Sequence, residues 1–423
     1  MAAVQPRAHD REDFETAWPR IAGLVADAAR AGARLIVAPE GCAPAYVLEG
    51  PDDGCATRRA LDDLSSIACA NGCTIVVGAA RLHGGRLYNA AFVVDRDGEI
   101  AGTADKIFLW HFDRRWFAPG ERLAPIPTSL GPLGVLVCAD GRLPTLAATL
   151  VRDGARLLVM PTAWVTSGRD EASLENIQAD LLARVRAREN GVPFIAANKC
   201  GSERGYVRYC GKSQIIAADG TVLAIAPERD ETTVVADVAV PQHGRRFARA
   251  RRPLSPSHSA PTTPATIALA MDSGTDSTRI ARLLDADALL TPREPQQLAA
   301  DDLLALIRLD DDGMLDPFVP AQARCDGAEL AAWETHGDDL DWIVRVARAR
   351  AAELRIYVAA FVPARGRAFA VGPDGAVLCG TGDELRLALF RFDPAAVHAT
   401  QVAPGTDILE GLRRVASLRN PVA

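Results

Sequence analysis

The chain has 423 residues, of which 48% are hydrophobic and 24% charged, the composition of an ordinary folded protein. At roughly 100–200 residues per domain the length predicts two or three domains, and the absence of any run of about 18 apolar residues or of an apolar leader predicts a cytoplasmic protein without membrane contact. A net charge of −7, from 47 basic and 54 acidic residues, argues against a general nucleic-acid binder, and nine cysteines without a Cys-x-x-Cys pair suggest neither a disulfide scaffold nor a zinc ribbon.

Along the chain, a short apolar piece ending at Val4 precedes an amphipathic helix. Its residues Phe14, Trp18, Ile21, Leu24, Val25 and Ala28 recur at steps of three and four. Strand-like and helix-like segments then alternate. Strands are predicted at 34–38, 74–78, 88–95, 134–138, 157–160 and 193–197, and helices at 62–70, 146–154 and 173–190. Such alternation predicts an α/β layered fold. Three stretches, starting at Leu87, Tyr209 and Phe369, share a strand, an Asp-Gly turn and a second strand, so each reads as a β-hairpin. Ile280–Pro292 also resembles Leu150–Pro161. The repeats suggest duplicated half-domains followed by a looser copy. A stretch rich in arginine, proline and serine, residues 245–264, reads as an exposed connector.

Only three of the 47 basic residues are lysines: Lys106, Lys199 and Lys212. Where a chain uses arginine so freely, a retained lysine marks a place where a flexible, titratable amine is needed. Lys106 lies in ADKIFL. Glu40 follows the strand RLIVA, and Cys138 ends the strand GVLVC ahead of a helix. A cysteine there can present its sulfur toward helix amides that favour a thiolate. A carboxylate from a neighbouring strand end can take its proton, and an ammonium can hold an oxyanion.

These strings in this order resemble the nitrilase superfamily of carbon–nitrogen hydrolases. The resemblance covers about residues 1–252. It includes Tyr88-Asn89, Phe117-Ala-Pro-Gly120, Pro161-Thr-Ala-Trp164, Arg186-Ala-Arg-Glu-Asn190, Asn198 and Gly211-Lys-Ser213. It implies a four-layer αββα sandwich and a cofactor-free and metal-free hydrolase that works through an acyl-enzyme. By the resemblance, Glu40 is the base, Lys106 the electrophilic stabiliser, Cys138 the nucleophile, and the Ala139 amide shares the oxyanion. Asp113 stands where the family often has a second glutamate, and its shorter reach is expected to retract the carboxylate by about 1–1.5 Å. Phe108 and Thr145 also depart from the family's usual residues. Ala139-Asp140 after the cysteine favours amide or N-carbamoyl substrates over nitriles. Tyr46, Trp110, Trp116 and Trp164 are candidate pocket residues, and Arg114, Arg115 and Arg169 candidate holders of a substrate carboxylate. Arg186 and Glu189 read as a structural pair that steadies the cysteine loop. Lys199 and Lys212 each lie beside a family-like position, Asn198 and Ser213, which would place them near the pocket; the preferred reading is surface lysines at strand ends.

Residues 253–264 are expected to link the first domain, 1–252, to a second, 265–423. The latter reads as a smaller, degenerate and non-catalytic copy in which Ala270 matches Cys138. Met271–Thr278 invites comparison with the phosphate-binding loop of synthetases that carry a glutamine-hydrolysing domain, but the needed Gly-Gly pair is broken. The leading expectation is hydrolysis of a small amide with water as partner, in a homo-oligomer. Acyl transfer from the same acyl-enzyme and a non-catalytic interaction protein are the alternatives.

Overall fold

The computed structural model describes residues 1–166, 174–247, 263–272, 274–292, 296–297, 305–383 and 385–419. Arg169 and nearly all of the expected connector lie outside them. The chain forms two compact units, Met1–Arg246 with the last residues from Ser417, and Phe247–Ala416. No described helix is long and apolar enough to cross a membrane.

The first unit is a sandwich of two sheets covered by helices. β1 (Ala2–Gln5), β2 (Leu35–Val37) and β3 (Thr74–His83) run parallel. β4 (Arg86–Val94) and β5 (Ile100–Asp105) extend that sheet in antiparallel sense. The β3–β4 hairpin turns on Gly84-Gly85, both with positive φ, as a two-residue loop requires. α1 (Phe14–Arg30) and α2 (Cys55–Asn71) cover this sheet. The expected apolar stripe of α1 is its buried face, with Phe14, Trp18, Ile21, Val25 and Ala28 in the core.

The second sheet repeats the plan. β6 (Leu133–Val135), β7 (Leu157–Pro161) and β8 (Phe194–Ala197) are parallel. β9 (Gln214–Ile216) and β10 (Val222–Ile225) follow as an antiparallel hairpin. α3 (Pro144–Arg152) and α4 (Ala183–Asn190) lie on its outer face, while β1, β2 and β3 pack against β7 and β8. The fold is therefore the expected α/β sandwich, with layers in the order αββα. The helix expected over 173–190 is shorter, because Asn176 caps it through Oδ1 to the Gln178 and Ala179 amides.

The second unit contains a five-stranded sheet of the same order and sense. β11 (Leu306–Leu309), β12 (Leu330–Glu334) and β13 (Tyr357–Val362) are parallel, and β14 (Arg367–Val371) and β15 (Val377–Gly380) form the antiparallel hairpin. The registers coincide residue for residue. Leu133 pairs with Leu157 as Leu306 pairs with Leu330. The last hairpin slips in register at Ile215/Ile216 in one unit and at Ala370/Val371 in the other. A buried arginine sits alike in both. Arg186 donates Nε to the Gly141 carbonyl and Nη1 to Glu189 at 3.1 and 2.5 Å. Arg350 donates to the Met314 carbonyl and to Glu353 at 3.0 and 2.5 Å.

This equivalence corrects one expectation. With Gly141 matched to Met314 and Leu133 to Leu306, Cys138 corresponds to Asp311, not to Ala270. Ala270 ends the strand Ala265–Ala270, which is parallel to Ala288–Leu290 and antiparallel to Leu387–Phe392. β1 has the same two kinds of neighbour, parallel to β2 and antiparallel to the strand Thr232–Val235, so Ile280–Pro292 matches α1–β2 rather than α3–β7.

Arg350→Met removes the guanidinium that neutralises Glu353 and caps the Met314 carbonyl. Losing one partner of a buried pair costs about 3–5 kcal/mol, so the urea midpoint followed by circular dichroism should fall markedly in this variant.

Candidate active site

Glu40, Lys106, Asp113 and Cys138 come from four separate segments and meet in one place. Glu40 follows β2, and a close crossing fixes it there. A Cβ on Gly78 would lie 2.3 Å from the Glu40 Cα, so only glycine lets β3 pass. Lys106 follows β5. Its carbonyl accepts from the Gly120 amide at 2.8 Å, and Gly120 in turn has no room for a Cβ beside Asp105.

Glu40, Lys106 and Asp113 are fully buried. The Lys106 ammonium lies 2.8 Å from Glu40 Oε1 and 2.6 Å from Asp113 Oδ2. Burial works against that ammonium, but Asp113 and Glu40 outweigh it and hold its pKa well above the usual lysine value. Each carboxylate commits one oxygen. Glu40 Oε1 also accepts from Asn89 Nδ2 at 2.6 Å, and Asp113 Oδ2 from the Trp110 amide at 2.8 Å. Among the described residues, Glu40 Oε2 and Asp113 Oδ1 have no hydrogen-bond partner.

Asp113 reaches the Lys106 ammonium at 2.6 Å despite its shorter side chain, from the turn His111–Arg115 in which His111 has φ +44°.

Cys138 opens the turn Cys138–Arg142 with φ +46°, a conformation that costs a non-glycine residue about 1–3 kcal/mol. Burial pushes the thiol up and Glu40 adds to this, while Lys106, the Thr162 hydroxyl and the Ala163 backbone favour the thiolate. On balance these surroundings favour the thiol over the thiolate. Ala139 is buried in the same turn. Asp140 accepts from the Ile107 and Phe108 amides on Oδ1, at 3.1 and 2.8 Å, and from the Val137 amide on Oδ2 at 3.1 Å. Burial pushes its carboxyl up to about 7 against these bonds.

Around this centre, the Tyr46 ring lies 5.7 Å from the Lys106 ammonium and tilts against Phe112, which packs edge-on to Trp116. Trp110 lies under the Arg142 guanidinium at 4.5 Å. Trp164 is buried, its amide held by Asn198 Oδ1 and its indole N–H without a partner among the described residues. Arg114 and Arg115 are exposed.

Lys199 is not a surface lysine. It is buried, pairs with Glu203 at 3.1 Å, donates to the Gly41 carbonyl beside Glu40, and lies 5.7 Å from the same Tyr46 ring. Lys212 is partly buried and paired with Asp180 and Glu228. Asn89, Thr162 and Asp140 stood in strings with a family look, yet nothing in sequence spacing reveals that they touch the centre.

Residues 1–245 match the family Carbon-nitrogen hydrolase. The chain is 32% identical over 223 residues to a nitrilase of Pyrococcus abyssi, a match covering 51% of this chain and 80% of that one. It is 31% identical over 148 residues to the nitrilase-type protein C965.09 of Schizosaccharomyces pombe, covering 35% of this chain and only 52% of the relative. A carbon-nitrogen hydrolase from Helicobacter pylori G27 shares the fold, with a TM-score of 0.50 and 24% identity over 56% of this chain and 88% of that one. The sandwich, its buried lysine–carboxylate centre and these matches agree: the chain belongs to the carbon-nitrogen hydrolase family of the nitrilase superfamily.

Proposed function

We propose that the first unit hydrolyses a small amide or N-carbamoyl substrate through an acyl-enzyme on Cys138. The observation that carries this reading is an ammonium shared by two buried carboxylates, each with one oxygen left over, beside a buried cysteine held at positive φ. Glu40 Oε2 takes the thiol proton as Sγ attacks the carbonyl carbon. The carbonyl π pair becomes an oxyanion, stabilised by the Lys106 ammonium and the Ala139 amide. When it collapses, the carbon–nitrogen bond breaks and the nitrogen leaves with the proton from Glu40. Water then gives a proton to Glu40 and attacks the thioester. The carbon–sulfur bond breaks, the acid departs and Sγ regains its proton. Asp113 keeps Lys106 charged and in place, and the aromatic wall of Tyr46, Phe112 and Trp116 shields the centre from bulk water.

The second unit reads as a truncated, non-catalytic copy. Asp311 fills the cysteine position, with its two oxygens accepting from Trp333 Nε1 and the His336 amide, each at 3.0 Å. That carboxylate is tied into the fold rather than aimed at a substrate, and no lysine follows Lys212 in the sequence.

An amide panel tests both readings. Cys138→Ala should lower turnover by at least about 10⁴-fold, and turnover equal to wild type would overturn the mechanism. Mass spectrometry of the quenched enzyme should find a single acyl adduct per chain, on Cys138. Asp113→Asn should lower kcat about 100-fold and weaken the pH range over which Lys106 stays charged, seen as an earlier alkaline decline in kcat. Added hydroxylamine diverts the acyl group if an amine acceptor can reach the thioester, and this separates acyl transfer from hydrolysis.

A further inference from the structure

We propose that Asp140 is a positioning residue that locks the lysine loop to the cysteine turn, so that the Lys106 ammonium and the Cys138 sulfur keep a fixed separation. The proposal rests on Cys138 being the nucleophile.

Lys106 and Cys138 lie 32 residues apart in sequence and on different sheets of the sandwich. Something must set their distance to a fraction of an ångström, because misplacement of about 1 Å can cost about 100-fold in rate. Asp140 is buried and bridges the two loops directly. Oδ1 accepts from Ile107 and Phe108, the two residues after Lys106, and Oδ2 accepts from Val137, the residue before Cys138. The carboxylate thus grips the backbone next to each reacting side chain. Arg186, through the Gly141 carbonyl, holds the far end of the same turn. Together they account for a cysteine that keeps a costly backbone conformation, since such strain persists only where the surroundings over-determine it.

The second unit supplies an internal control. In the matched register Asp140 corresponds to Gly313. That unit retains the five-stranded sheet and the arginine that caps the turn, but only the 15 residues 291–305 separate the strand matching β2 from β11, and none of them is lysine. The copy that lacks the lysine loop also lacks the aspartate that would hold it. The second unit's turn is capped from the other end, Asp310 accepting from the Gly313 amide, and what has no counterpart there is the pair of bonds that Asp140 accepts from Ile107 and Phe108.

Asparagine breaks this bridge with little change in volume. Its single carbonyl oxygen can accept on one side, but its NH2 then faces a backbone N–H on the other. The test compares full-length wild type and Asp140→Asn by amide turnover and by the rate and final extent of iodoacetamide labelling of Cys138 at one fixed pH. The expected result is complete labelling at a rate lower by about tenfold, kcat lower by about 100-fold and KM within about threefold. Partial labelling at an unchanged rate would mark a merely structural residue and overturn the proposal, as would wild-type kcat and labelling rate. If Asp140→Asn does not accumulate folded, Asp140→Glu serves instead. It keeps both acceptors but moves them by about 1.5 Å, so a kcat at least about tenfold lower supports the bridge and a wild-type kcat overturns it. Cys138→Ala is assayed alongside, and turnover by that variant would overturn the nucleophile assignment independently of Asp140.

Discussion

A fully buried ammonium between two fully buried carboxylates is the constraint around which the first unit is organised. Taking such charges out of water costs several kcal/mol per ion, and geometry alone can repay it. The repayment is visible in the neighbours. Lys106 meets both carboxylates within 2.8 Å, while Asn89 and the Trp110 amide occupy the same two oxygens from the other side. Removing any of these donors would leave a buried anion undercompensated. The centre is thus a stability liability that the rest of the sandwich must carry, which suits a site built for chemistry rather than for holding the fold together.

The liability extends to the backbone. Gly78 exists so that β3 can pass within contact of Glu40, and His111 and Cys138 both adopt positive φ. Asp113, in the turn that His111 opens, has a side chain one methylene shorter than glutamate and still meets the Lys106 ammonium at 2.6 Å.

Much of this was legible in the sequence. Strand-end placement singled out Glu40, Lys106 and Cys138, and the helical spacing of Phe14, Trp18, Ile21 and Val25 gave the buried face of α1. What escaped has physical causes. Ile280–Pro292 and Leu150–Pro161 are both a helix turn followed by an apolar strand, and every β-α-β unit of an α/β fold produces that pattern. Only strand register separates them, which is why the cysteine position was assigned to Ala270 instead of Asp311. Lys199 was read as exposed because lysine usually is. Its burial depends on Glu203 and on the rings of Tyr46 and Tyr209, brought near by the fold alone. The contact of Asp113 with Lys106 is a meeting of two segments that residue types do not announce.

The rarity of lysine acquires a physical explanation from the same geometry. An ammonium is a compact charge with three donors on a flexible stem, whereas guanidinium is a planar fork suited to pairing with one carboxylate face-on. At Lys106 the two nearest acceptors are oxygens of different carboxylates, Glu40 Oε1 and Asp113 Oδ2, on different segments. Two N–H groups of one nitrogen can serve both and leave a third for a charge that develops during reaction. Arginine would spread its donors over a rigid plane, which suits one carboxylate face-on better than two on separate segments. At Arg186 and Arg350 the fork caps one carbonyl and pairs with one carboxylate, and at the buried Arg324 it serves three carbonyls, those of Leu354, Ala328 and Val397. Lys199 also caps a carbonyl and pairs with one carboxylate, so the number of acceptors does not choose the cation; at Lys106 what matters is that two separate carboxylates are met by one nitrogen with a donor to spare.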